Sequence, residues 1–186
     1  MKKNINMRMY SGNINKDLMV NYCYTYIPNG EPDNKFPTFK TTSKGTKIID
    51  HTFGLAISEG FNMSRLFIPG RIWHSFVSLL DKTIKAITES LYEIFPDINK
   101  SEFEVDSRVL ERFQTEKACS TAGMSMTPGV WVDKSSQCYP AIRISTPFDG
   151  ILVIPLEDAI PLSKILNNID PLLYGLQLLN IFGITE

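Results

Sequence analysis

The stretch from Ser64 to Pro96, SRLFIPGRIWHSFVSLLDKTIKAITESLYEIFP, decides the fold class of this chain. A short apolar run, RLFI, meets a proline and gives way to apolar residues at three- and four-residue spacing: Ile72, Phe76, Leu79, Leu80, Ile84, Ile87, Leu91 and Ile94. That period draws one stripe along a helix, while Arg71, Ser75, Ser78, Lys82, Lys85 and Glu89 fall largely elsewhere. The pattern predicts a strand followed by a helix. Pro69 is expected to open the helix, because the first helical position needs no N–H, and Pro96 to stop it.

Upstream of this stretch, HTFGLAIS (His51 to Ser58) sets Phe53, Leu55 and Ile57 on one face, and the polar turn after it returns the chain into RLFI. A hairpin is expected there. Earlier still, LMVNYCYTYI (Leu18 to Ile27) is dense in β-branched and aromatic residues and ends at Pro28-Asn29-Gly30, which reads as a strand and a turn. Pro28 to Lys47, rich in Pro, Gly, Asn, Thr, Ser and Lys, reads as an exposed loop or a long irregular hairpin.

Downstream, the same plan returns. Leu55-Ala56-Ile57-Ser58, a turn, Leu66-Phe67-Ile68-Pro69 and a helix with Leu79-Leu80 correspond to Ile142-Arg143-Ile144-Ser145, a turn, Leu152-Val153-Ile154-Pro155 and a helical stretch with Ile165-Leu166. The expected fold is therefore α+β: two duplicated units of antiparallel strands followed by a helix, with the helices on one side of curved sheets. They would form one compact domain over 1–186, with pseudo-repeats at about 15–96 and 97–170 and an apolar C-terminal segment, 171–186. Pro161 and Pro171 are expected to cut the second helical region short. Between 97 and 128 two readings stand: Phe103 and Val105 alternate as a strand does, whereas Asp106 suits the cap of a short helix with Val109, Leu110 and Phe113.

Composition bounds the function. The 186 residues carry a net charge of -1, which excludes a uniformly basic coat, yet residues 1–50 hold a net +4 and residues 151–186 a net -3. A local basic face near the N-terminal end is compatible with that. No apolar run is long enough for a bilayer, and the charged start lacks an apolar signal core, so a cytoplasmic protein is expected, in the host cytoplasm if phage-encoded, with no membrane partner. Three widely spaced cysteines, Cys23, Cys119 and Cys138, form neither a disulfide framework nor a zinc knuckle. The two histidines, His51 and His74, have no metal-ligand spacing, and no phosphate loop, nucleophile elbow or paired-carboxylate motif is present. No enzyme, no metal and no cofactor are expected.

Two features point to a partner. Period two sets Tyr22, Tyr24 and Tyr26 on one face of their strand, where the rings either stack unpaired bases or fill a core against the long helix. In KFPTFKTTSKGTK, Lys35, Lys40, Lys44 and Lys47 alternate with Phe36 and Phe39, which pairs phosphate contacts with stacking; the alternative is a basic loop that touches nothing. Trp131 and Lys134 in GVWVDK, with Arg143, would extend the same surface.

Two successive strand-and-helix units, with Leu-Phe-Ile-Pro and Leu-Val-Ile-Pro ending the last strand of each, resemble the plan of the single-stranded nucleic-acid binders of the Whirly, Pur and positive-cofactor-four type over roughly residues 15–170. The resemblance implies a sheet that binds single-stranded DNA, helices behind it that mediate oligomerisation, and a binding surface built from the tyrosine strand and the lysine-rich loop. The expected function is sequence-tolerant single-stranded DNA binding in phage or bacterial replication or transcription, with a homo-oligomer formed through the helices or residues 171–186. The competing expectation is a non-catalytic assembly protein that docks a partner through its apolar C-terminal segment.

Overall fold

The computed structural model of the chain describes residues 3–14, 18–26, 39–42, 45–48, 53–59, 64–69, 72–111, 124–146 and 150–170. Along the chain come β1 (Lys3–Ser11), β2 (Leu18–Tyr26), β3 (Phe39–Thr42), β4 (Gly45–Ile48), β5 (Phe53–Glu59), β6 (Ser64–Pro69), α1 (Trp73–Glu89) and α2 (Leu91–Ile94). A helical turn at 107–111 (α3), β7 (Ser125–Val132), β8 (Cys138–Thr146), β9 (Gly150–Pro155) and α4 (Leu156–Asn167) complete them. The protein is mixed α and β, with three antiparallel sheets ordered β1-β2-β5-β6, β3-β4 and β7-β8-β9.

Register explains why the first sheet is amphipathic. Residues directly opposite in an antiparallel pair share a face. Leu66 lies opposite Ile57, which lies opposite Val20; Ile68 lies opposite Leu55, which lies opposite Tyr22. Leu18, Leu66 and Ile68 are fully buried, so this apolar face is the core face. Ladder pairing also makes a strand of β1, which sequence reading misses because its asparagines and lysine disfavour strands in isolation. A register shift between Arg8 and Tyr10 bulges β1 against β2.

Helix α1 buries Trp73, Phe76, Leu79, Leu80 and Ile87, much of the stripe that the spacing predicts. Each large side chain so buried contributes roughly 1.5–3 kcal/mol. Its ends differ from expectation. Pro69 closes β6 opposite Gly54 instead of opening the helix, a strand-end position that tolerates the missing donor. Helix α1 stops at Glu89, and a separate turn, α2, starts at Leu91. Thr83 and Thr88 each donate a side-chain hydrogen bond back to the carbonyl four residues earlier, a contact that bends helices.

Helix α4 runs through Pro161 without a break. Its buried residues Leu162, Ser163 and Leu166 lie beyond the proline, so packing holds the last turns in place. Helices α1 and α4 pack on each other, α1 against β6 and β7, and α4 against β8 and β9. Ser163 and Asn167 both donate to the Asp81 carboxylate across this helix pair. One core cluster joins Leu66 and Ile68 to Phe76 and Leu80, to Ile142, Ile144, Leu152 and Ile154, and to Leu162 and Leu166. Where the sequence leaves 97–128 open, Phe103 is buried edge-on against Phe95 at 5.7 Å, Asp106 caps α3 through the Arg108 N–H at 2.9 Å, and 125–132 is strand.

Strands β6 and β9 are the last strands of their sheets, and their Cα atoms approach within 8 Å.

Candidate nucleic-acid interface

Alternation along β7 buries Met124, Met126 and Pro128 in the core and assigns Ser125, Thr127, Gly129 and Trp131 to the opposite face. On β8, Ile142 and Ile144 are buried while Arg143 between them is exposed. Helices α1 and α4 pack on the buried side, so Trp131 and Arg143 share the opposite side, where Ala141, between Tyr139 and Arg143, is fully buried.

Trp131 pairs directly with Tyr139 across the ladder, and their half-buried rings lie 5.7 Å apart at 49°. The loop that joins the two strands holds this pair in place. Asp133 Oδ1 accepts hydrogen bonds from the Ser135 N–H at 2.8 Å, the Ser135 hydroxyl at 2.7 Å and the Gln137 N–H at 2.8 Å. The Ser135 hydroxyl foremost, then the Gln137 N–H, with the Tyr139 side chain also contributing, hold the Asp133 carboxyl below the usual carboxylate range. Ser136 takes a φ of 64°, the left-handed conformation that closes the turn. The Cys138 N–H bonds the Ser101 carbonyl at 3.0 Å and ties the base of the hairpin to the body of the protein.

Arg143 sits on the central strand of its sheet, opposite Thr127 and Val153. It is four residues from Tyr139 along β8, about 13 Å at the strand rise. A Cβ on Gly129 would stand 3.1 Å from the Arg143 Cβ, so glycine leaves room beside the arginine stem. Ser125 and Ser145 share a hydrogen bond on the same face. Strand β9 adds Ile151, which is 43% exposed. No Asp or Glu occupies a paired position on this face. It offers two rings for stacking, one exposed guanidinium and several hydroxyls, with the Asp133 carboxylate beside the Tyr139 end.

Of the residues singled out in the sequence, Trp131 and Arg143 come together on this face, and Lys134 lies exposed in the adjoining loop. Lys40 and Lys47 lie directly opposite each other in the β3–β4 hairpin, and Phe39 lies opposite Ile48. Lys35, Phe36 and Lys44 lie outside the described residues, as does the segment 171–186. Tyr22 and Tyr24 occupy the register positions of the apolar face that carries Leu18, Leu66 and Ile68, and Tyr26, opposite Lys3, continues it. That placement favours the core reading of the tyrosines over stacking. Tyr139 was missed by sequence reasoning, although the alternation Tyr139, Ala141, Arg143, Ser145 against Cys138, Pro140, Ile142, Ile144 marks its face.

Among the described residues no group of three His, Cys, Asp or Glu side chains is placed to hold a metal ion. His74 is exposed on α1, Cys138 is buried in β8, and His51 and Cys119 lie outside the described residues. No described helix is long and apolar enough to cross a membrane.

The chain matches no protein-family model, no curated protein and no solved structure.

Proposed function

We propose that this chain is a non-catalytic, sequence-tolerant single-stranded DNA-binding protein built from two copies of a strand–strand–helix unit. The observation that carries the reading is the face with Trp131, Tyr139 and Arg143, where an aromatic pair and an exposed arginine share a sheet surface turned away from the helices. Stacking on aromatic rings is indifferent to base identity because every base has a π-face, and an arginine supplies the phosphate contact.

Three relations support the duplication. Leu55 pairs with Ile68 and Ile57 with Leu66, as Ile142 pairs with Ile154 and Ile144 with Leu152. Each hairpin feeds a helix, α1 or α4, and these two helices pack together. The equivalent strands β6 and β9 lie close to each other. Sheets in front and helices behind accord with the plan of the Whirly, Pur and positive-cofactor-four binders. The Lys40–Lys47 pair supports the reading from a second place: like charges directly opposite on a hairpin destabilise it, and a phosphate backbone beside them relieves that repulsion.

Titration of the full chain with fluorescently labelled oligo-dT over a series of salt concentrations tests the function. Binding should weaken as salt rises. Trp131→Ala should cost about 1–3 kcal/mol of affinity with the salt slope nearly unchanged. Arg143→Ala should instead lower the slope by roughly 0.7. Absence of binding even at low salt would sink the proposal.

A further inference from the structure

A cleft of 330 Å³ lies between α1 and α4, at the small end of the roughly 300–1,000 Å³ that ligand pockets span. Its floor is apolar: Trp73, Val77, Leu166 and Ile169 line it and are all buried. Asp81, Lys82 and Asn167 line one end and are exposed. There the Asp81 carboxylate is fixed in place, because the Ser163 hydroxyl donates to its Oδ1 and the Asn167 side chain to its Oδ2 at 3.0 Å. At the other end the Trp73 indole N–H donates to the Ile169 carbonyl at 2.9 Å. Trp73 and Asp81 lie on the same helix, separated by about 12 Å at the helix rise. The cleft therefore has a charged end and an apolar end.

We propose that this cleft binds a free α-amino acid with an apolar side chain. It uses no residue of the Trp131 face, so it stands apart from the single-strand-binding reading. Charge complementarity selects the ligand. Among the described residues Lys82 joins no ion pair, and neutral donors rather than a cation hold Asp81. A simple anion would meet Lys82 but face the Asp81 charge, and a simple amine would meet Asp81 but face Lys82. A zwitterion satisfies both: its ammonium donates to Asp81 and its carboxylate accepts from the Lys82 Nζ. Each Asp81 oxygen keeps a lone pair for that donor after the bond from Ser163 or Asn167. The ligand's side chain then runs along the floor toward Trp73 and Ile169, where loss of apolar surface from water supplies affinity.

The test is titration of the full chain with L-phenylalanine and L-leucine, followed by calorimetry and by NMR of the two tryptophan indoles. L-Phenylalanine or L-leucine should bind at millimolar concentration or below, shifting the Trp73 indole resonance and leaving that of Trp131 in place. Hydrocinnamate, which lacks the ammonium, and phenethylamine, which lacks the carboxylate, should each bind more weakly than L-phenylalanine by about tenfold. Lys82→Gln should weaken L-phenylalanine by about tenfold and leave phenethylamine unchanged. Ser78→Trp, at an exposed position that lines the cleft, should fill it and abolish binding at an unaltered unfolding midpoint. If that variant also unfolds earlier, Lys82→Gln decides, and an unchanged affinity for L-phenylalanine overturns the proposal. So does a shift at Trp131 in place of Trp73, or either analogue binding as tightly as L-phenylalanine. No binding of either amino acid at millimolar concentration overturns it outright.

Discussion

Asp106 shows how one carboxylate sets the boundary of an element. Its Oδ1 accepts the Arg108 N–H at 2.9 Å, and the Arg108 guanidinium reaches both carboxylate oxygens, at 3.2 and 2.8 Å. The Arg108 side chain foremost, then its backbone N–H, hold the Asp106 carboxyl at about 2, below its ordinary 3.8. A depressed carboxyl contributes stability that is complete above the unfolded value and disappears as pH falls through the folded one. The cap on α3 should therefore hold above pH 4 and loosen between about 4 and 2. An NMR titration of the Arg108 amide should give a midpoint near 2, and a midpoint near 3.8 would show that the cap does not form in solution. A cap at Asp106 was one of the two readings the sequence left open, since Asp before a short apolar turn is a start signal. Its pairing with Arg108 was not, because two charges two residues apart specify no geometry until the turn is made.

Elements carry two further predictions. The side chain of Asp158, in the first turn of α4, is fully buried and accepts the N–H groups of Asn13 at 2.6 Å and Ile14 at 3.2 Å, which follow β1. Helix α4 thus anchors the turn between β1 and β2 from the far end of the chain. Asp158→Ala leaves those donors without this acceptor and should cost about 1.5–3 kcal/mol in denaturant unfolding. A loss within experimental error would mean that solvent replaces the carboxylate. On β2, Tyr24→Ala should cost about 3–5 kcal/mol, because its register position lies on the core face. Its affinity for oligo-dT, measured where the variant is still folded, should be unchanged; a folded variant that binds weakly would return the tyrosine to the interface. Period two shows that the three tyrosines share a face, but choosing between core and surface takes the partners Leu55 and Ile68.

The whole molecule is joined by one core cluster that runs from Leu18, Leu66 and Ile68 through α1 to Ile142, Ile154 and α4. Unfolding should accordingly be a single transition, with circular dichroism and the fluorescence of core Trp73 and half-buried Trp131 changing together. Two separated transitions would show that the halves of the chain have independent cores.

Sequence alone determined the local elements with a strong period: the β5–β6 hairpin, the buried stripe of α1 and the strand at Leu18. In each, alternation or three-to-four spacing within a few residues carries the signal. It also determined the absence of a uniformly basic surface, since charge counts need no fold. Tertiary structure decided what distant residues must supply. The ladder to β2 made a strand of β1, packing across α1 and the sheet carried α4 past Pro161, and threonine back-bonding accompanies the end of α1 at Glu89. Above all, it decided which face of each sheet meets the core. A period of two divides a strand into two faces, but only burial of the cross-strand partners says which of them is left to solvent.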